Sequence, residues 1–106
     1  MVLYRDVVDR LGVVKARRFH RHVGRRIRLA GWLITGKTAQ TKHGDPMKFL
    51  SFEDETGIIE TTFFPKAYDR FCHMLDYGRP YLLNGKVSEN WGAVTLTVAS
   101  AAPIKR

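Results

Sequence analysis

The chain has 106 residues, 44% of them hydrophobic and 11% aromatic, which suits one folded domain and excludes a disordered tail. Its lone cysteine, Cys72, excludes an internal disulfide and a multi-cysteine zinc site. Single-cysteine usage is typical of a reducing compartment, so we expect a cytoplasmic protein. No apolar run approaches the roughly 20 residues of a membrane span, and the N-terminus is too polar for a secretory signal, so we expect no membrane partner.

The net charge of +8 is confined to the N-terminal part of the chain. Residues 1–45 contain eleven Lys and Arg against three Asp and Glu, whereas residues 46–106 contain seven of each. A one-sided basic surface is the electrostatic signature of a protein that binds a polyanion. The alternatives are a solvated face and an acidic membrane surface, but membrane binding would need a bulky amphipathic helix beside the charges.

The first elements in chain order are a predicted helix and a connector. An apolar residue at every third or fourth position predicts the helix over residues 3–18. A polar, basic connector follows over residues 19–26. We therefore expect an N-terminal helix and connector over residues 1–26 and a folded domain over residues 27–106. The apolar positions of the helix are Leu3, Val7, Leu11 and Val14.

The folded domain is predicted to contain strands, with one helix between the third and the fourth. β-Branched and aromatic runs, separated by Gly, Pro, Asn and Asp, predict five strands, over residues 27–41, 47–53, 58–64, 81–87 and 93–99. Pro65 opens the helix, whose apolar stripe is expected to cover one end of a barrel. This order predicts an all-β, five-stranded Greek-key barrel of the OB fold. An SH3-like barrel is the alternative, but it lacks a full helix at that position.

Candidate binding residues follow from the alternation of side chains along the second and third strands. With Leu50 and Phe52 inside the barrel, Phe49 and Ser51 point outward. The outer face of these strands is where OB folds bind oligonucleotides, and an outward Phe can stack a base. The alternative role for Phe49 is to cover the helix or a neighbouring domain. The outward residues of the third strand are Glu60 and Thr62, of which Glu60 could accept from base amino groups or be solvated.

Positive charge around the first hairpin supplies candidate phosphate contacts. A second stacking candidate, Trp91, lies at the tip of the last hairpin, and Trp32, beside a bend in the first strand, is expected to be structural. Arginines before and within the first strand could instead face a preceding domain. The hairpin cations are Lys37, Lys42, His43 and Lys48, and the arginines are Arg25, Arg26 and Arg28.

Catalytic and metal-binding patterns are weak, so we expect no enzyme activity, no metal and no cofactor. His20 and His22 have no carboxylate or cysteine nearby to complete a metal site. The acidic run at residues 53–55 suits a turn as well as a magnesium site. Cys72 and His73 are adjacent on a helix, which points their side chains about 100° apart.

Six stretches of the chain carry a family resemblance. Three of them are GWL at 31–33, FLSFEDETGIIE at 49–60 and FFP at 63–65. They resemble the OB folds of the anticodon-binding class. The other three are TKHGDPM at 41–47, RPYLL at 79–83 and AVTLTV at 93–98. With these, the chain is most similar within that class to the OB domain near the C-terminus of the bacterial DNA polymerase III alpha subunit.

This resemblance implies a non-catalytic piece of a much larger polymerase. In the family the carboxylates that hold the catalytic metals lie in a separate palm domain, and the OB domain binds single-stranded template. The implied partners are single-stranded DNA and the other domains of the parent chain. Two alternatives stay open: a protein-interaction module that docks within the polymerase assembly, and an anticodon-type domain that binds RNA.

Overall fold

A computed structural model describes residues 13–90 and 92–104. Its strands are β1 Arg26–Gln40, β2 Pro46–Asp54, β3 Gly57–Phe63, β4 Pro80–Asn90 and β5 Ala93–Pro103. The helical elements are an N-terminal 3₁₀ helix, Ala16–His22, the α-helix α1, Pro65–Phe71, and a 3₁₀ turn, Cys72–Met74. In the described part of the chain, no helix is long and apolar enough to cross a membrane.

The strands close into a barrel in the order β1-β2-β3-β5-β4, with β4 pairing back onto β1. Every pairing is antiparallel except that of β3 with β5. The long β1 closes the barrel because residues 26–32 pair with β4 and residues 32–40 pair with β2. With α1 between β3 and β4, this is the OB topology that the sequence predicted.

Side-chain alternation fills the barrel interior as the strand patterns predicted. Leu50 and Phe52 of β2 are buried. So are Ile59, Thr61 and Phe63 of β3, which alternate with the predicted outward residues of that strand. The helix α1 and the turn after it cover one end of the barrel, as expected from their apolar stripe. The residues that pack there against the core are Tyr68, Phe71, Cys72 and Leu75.

Gly85 marks a register shift in β4 next to Asn84. A Cβ atom at Gly85 would collide with the carbonyl oxygen of Thr97 on β5. Only glycine allows the two backbones to approach this closely.

The N-terminal segment differs from the prediction of a helix over residues 3–18. Residues 1–12 lie outside the described part of the chain, residues 13–15 are not helical, and the 3₁₀ helix begins only at Ala16. Phe19, which the sequence analysis placed in a polar connector, is 6% exposed and belongs to the core. The segment therefore packs on the barrel as a strap, here called the N-terminal strap (residues 13–25).

Candidate nucleic-acid interface

A depression of about 250 Å³ lies on the outer surface where β1, β2 and β3 run side by side. The strand register brings its walls together, since Lys37 pairs with Phe49 and Ser51 pairs with Glu60. We call this surface the Phe49 face. Its lining residues are Thr35, Gly36, Lys37, Phe49, Ser51 and Glu60.

Phe49 presents an aromatic ring on this face, as the alternation predicted. Its side chain is 37% exposed, whereas the neighbouring Leu50 is 2% exposed in the core. On β1, Gly36 pairs with Leu50 of β2. A Cβ atom at Gly36 would collide with the Leu50 side chain and would lie 3.0 Å from the Phe49 carbonyl oxygen. The absence of a side chain at Gly36 therefore lets β1 approach β2 closely beneath the depression.

Ser51 and Glu60 form a hydrogen-bonded pair across β2 and β3. The Ser51 hydroxyl donates to Glu60 Oε2 at 2.7 Å, and Ser51 is only 8% exposed. Ser51 thus holds the exposed Glu60 carboxylate at the edge of the depression. Thr62, which pairs with Phe49, is 6% exposed and is therefore also buried.

The β1–β2 hairpin is ordered by Thr41. Its Oγ1 accepts from the backbone N–H groups of His43 and Asp45, both at 3.3 Å, and its own N–H donates to the Asp45 carbonyl at 2.9 Å. Lys42 and His43 are both exposed at the tip. A cationic tip therefore continues the strand pair beyond Lys37 and Phe49.

Lys48, which the sequence analysis grouped with the hairpin cations, lies elsewhere. Lys48 is two residues before the core residue Leu50, so both side chains point to the same side of β2. Lys48 also pairs with Phe63, at the barrel end that α1 covers. It lines a separate depression with Tyr68, Asp69, Cys72 and His73. Adjacent residues of a strand point to opposite sides, so alternation along β2 predicts that Lys48 and Phe49 do not share a face. The grouping with the hairpin considered only their closeness in sequence.

The Cys72 thiol lies in that second depression. Burial raises its pKa above the ordinary value, and the positive charge of Lys48 opposes the shift. At neutral pH the thiol is therefore protonated, which suits a packing residue rather than a nucleophile.

Of the two tryptophans, the structure describes only Trp32. Trp91 lies outside the described residues. Trp32, expected to be structural, is half-buried and packs against Ala30 with Val13 and Ile104.

The acidic run at residues 53–55 covers the end of β2 and the start of the β2–β3 turn. The sequence predicted the turn, but not that Asp54 also anchors the N-terminal strap. Asp54 is 8% exposed and accepts four hydrogen bonds. Oδ1 accepts from the Thr56 N–H at 2.7 Å, the Thr56 hydroxyl at 2.6 Å and the Gly57 N–H at 3.1 Å. Oδ2 accepts from the Ala16 N–H at 2.7 Å.

Comparison with known proteins identifies the family of this closed barrel. Residues 27–104 match the tRNA anticodon type of OB-fold nucleic acid binding domain. The chain belongs to this family. The family assignment made from the sequence is confirmed.

DNA polymerases are among the sequence relatives of this OB domain. It is 33% identical over 101 residues to an error-prone DNA polymerase of Symbiobacterium thermophilum, covering 92% of this chain and 9% of the relative. It is 32% identical over 83 residues to the DNA polymerase III subunit alpha of Bacillus subtilis, covering 78% of this chain and 7% of the relative. The chain thus spans less than a tenth of the length of these two polymerases, and the predicted resemblance to the alpha subunit is confirmed.

Solved structures share the OB fold at low identity. Asparaginyl-tRNA synthetase from Pyrococcus horikoshii superposes with a TM-score of 0.68 at 20% identity, covering 90% of this chain and 23% of that one. A single-stranded DNA binding protein from Thermus aquaticus gives 0.64 at 15% identity, covering 76% and 40%. These likenesses establish the fold of the domain.

Proposed function

We propose that this OB domain binds single-stranded DNA on the Phe49 face as a non-catalytic part of a bacterial replicative DNA polymerase. The observation that carries the proposal is the exposed Phe49 ring paired with the exposed Lys37 on the outer face of β1 and β2. A flat ring beside a cation is the combination that holds a base and its phosphate. The polymerase relatives support DNA as the ligand.

Each group on the face has a proposed role that follows from its chemistry. Phe49 stacks a base, which contributes roughly 1–3 kcal/mol per base. Lys37 neutralises an adjacent phosphate, and Lys42 and His43 at the hairpin tip lie along the same strand pair to meet further phosphates. Glu60, oriented by Ser51, accepts from a base amino group.

We propose no chemistry for the domain itself. Asp54, the central carboxylate of the acidic turn, already accepts four hydrogen bonds within the protein. The proposed partners are single-stranded template and the other domains of a parent polymerase chain, acting in the bacterial cytoplasm. An RNA ligand is the second candidate, favoured by the anticodon-type family match.

The test is fluorescence anisotropy of a labelled oligothymidylate over a range of salt concentrations. Phe49→Ala should weaken binding about 5- to 150-fold, the equivalent of roughly 1–3 kcal/mol, with the salt slope unchanged. Lys37→Ala should flatten the slope of log affinity against log salt by about 0.7, the value for one single-strand phosphate contact.

Lys48→Ala is the matched control, because it removes the same charge from the α1 end of the barrel. It should leave both affinity and slope near those of the unmodified domain. Absence of binding at low salt would contradict the proposal and favour a protein-docking module. Tighter binding of an RNA oligonucleotide of equal length would favour the RNA alternative.

A further inference from the structure

A third depression, more basic than the Phe49 face, lies at the other end of β1. Its volume is about 440 Å³, and it is walled by the N-terminal strap on one side and by β1 and β4 on the other. Three arginines and one histidine line it, namely Arg25, Arg26, Arg28 and His22, together with Asn84 of β4. We call it the arginine depression.

The outward direction of these side chains is fixed by the barrel. Ile27 and Leu29 are buried in the core, so Arg26 and Arg28, which alternate with them, point to the outer surface. Arg26 pairs with Lys86 and Arg28 pairs with Asn84 across β4. Lys86 is exposed and therefore adds a further cation beside the depression.

The backbone around the depression is held by hydrogen bonds. The Val14 N–H donates to the Arg28 carbonyl at 2.9 Å, and the Gly24 N–H donates to the Val87 carbonyl at 2.8 Å. The Arg25 N–H donates to the His22 carbonyl at 2.9 Å. The strap and the strands thus present the guanidinium groups from a preformed surface, which lowers the entropy cost of binding a ligand.

The positive charge of the depression is not balanced by carboxylates within the described part of the chain. The ion pairs there are Lys15 with Glu55 and Arg79 with Asp76, and neither involves an arginine of the depression. By contrast, the Phe49 face includes the carboxylate of Glu60. Clustered guanidinium groups that are not neutralised internally attract a multiply charged anion.

We propose that the arginine depression is a second phosphate-binding site, which holds the backbone of the same nucleic acid beyond the Phe49 face. A guanidinium group can donate two parallel hydrogen bonds to the oxygens of one phosphate, whereas a lysine ammonium group acts as a point charge. The exposed side chains of the depression are cationic or polar and include no aromatic anchor of the kind that a protein partner would use. This inference rests on the proposed function only in taking the ligand to be nucleic acid.

Strand β1 links the two sites. Arg28 lies on its first half, which pairs with β4, and Lys37 lies on its second half, which pairs with β2. The nine residue steps between them span at most roughly 30 Å at about 3.3 Å per residue. A short oligonucleotide should therefore occupy the Phe49 face alone, and a longer one should reach both sites.

The experiment is a length series of oligothymidylates from about 4 to about 20 nucleotides, which brackets the roughly 4–16 that one OB fold covers. Affinity and its salt slope are measured by anisotropy for the unmodified domain and for Arg26→Ala combined with Arg28→Ala. The double variant should bind the shortest oligonucleotide normally. The unmodified domain should bind the longest oligonucleotide more tightly than the shortest, and the double variant should lack this increase in affinity. With the longest oligonucleotide, the salt slope of the double variant should be about 1.4 smaller than that of the unmodified domain, the value for two phosphate contacts.

The matched control combines Lys48→Ala with Lys66→Ala, which removes two positive charges from the α1 end of the barrel. The affinity of this control variant should increase with oligonucleotide length as it does for the unmodified domain. Circular dichroism melting of each variant separates misfolding from loss of a contact. Identical affinities and slopes for the double variant and the unmodified domain at every length would overturn the arginine site and favour an acidic protein surface as its partner.

Failure of the proposed function would look different. In that case Phe49→Ala would bind every oligonucleotide as the unmodified domain does, while the arginine double variant would lose binding at all lengths. That outcome would keep the arginine site and reject the Phe49 face.

Discussion

Phe49 and Leu50 are neighbours on β2 with opposite environments. One is 37% exposed on the proposed binding face and the other is 2% exposed in the core. The difference follows from the two-residue period of a strand, which places adjacent side chains on opposite faces. It also allows loss of binding to be distinguished from loss of folding.

At the residue scale we predict that Leu50→Ala lowers the free energy of unfolding by about 2–5 kcal/mol, because it leaves a cavity in the core. Phe49→Ala should cost much less, since the ring has solvent on its outer side. Urea denaturation of both variants measures the contrast. A Phe49→Ala domain that is as destabilised as Leu50→Ala would show that the ring is a packing element rather than a free platform.

The alternation of side chains along β2 and β3 predicted part of the candidate site. It correctly placed Phe49 and Glu60 on the outer face. Alternation could not show that Ser51 and Thr62 are buried, because their burial depends on the neighbouring side chains of other strands. Lys48 was grouped with the hairpin by nearness in sequence, although its parity with Leu50 predicts the other side.

At the scale of elements, the acidic turn and the N-terminal strap form one unit. Outside the 3₁₀ helix Ala16–His22 the strap is irregular, and the buried Asp54 carboxylate ties it to the barrel through the Ala16 N–H. The Lys15–Glu55 ion pair, at 2.5 Å, spans the same junction nearer the surface. Phe19 then packs into the core.

We predict that Asp54→Ala destabilises the domain by at least roughly 1.5–3 kcal/mol, the range for hydrogen bonds to a charged group. Lys15→Met, which removes only the partly exposed ion pair, should cost about 0–1 kcal/mol. Thermal melting compares the two variants. Equal melting temperatures for Asp54→Ala and the unmodified domain would contradict the role of this carboxylate as the anchor.

The strands could be predicted because pattern and turn chemistry agree along residues 27–99. The strap could not, because its conformation is decided by contacts with distant residues. Leu3, Val7 and Leu11 have helical spacing but lie outside the described residues. Residues 16–18, predicted to end an α-helix, belong instead to the 3₁₀ helix Ala16–His22, whose first N–H donates to Asp54.

At the scale of the whole molecule, the charge asymmetry seen in the sequence has a structural basis in β1. This strand runs from the arginine depression to the basic β1–β2 hairpin, and it contributes to both proposed sites. The barrel end covered by α1 lies apart from both. We therefore propose that nucleic acid lies along β1 and the Phe49 face, away from α1.

The most direct test is an NMR titration of the isotope-labelled domain with an oligothymidylate, following each backbone amide. We predict that the largest shift changes fall on the Phe49 face, around Lys37, Phe49 and Glu60, while the amides of α1 and of Cys72 stay unchanged. Changes concentrated on α1 and Cys72, with the amides of Lys37 and Phe49 unmoved, would contradict the account.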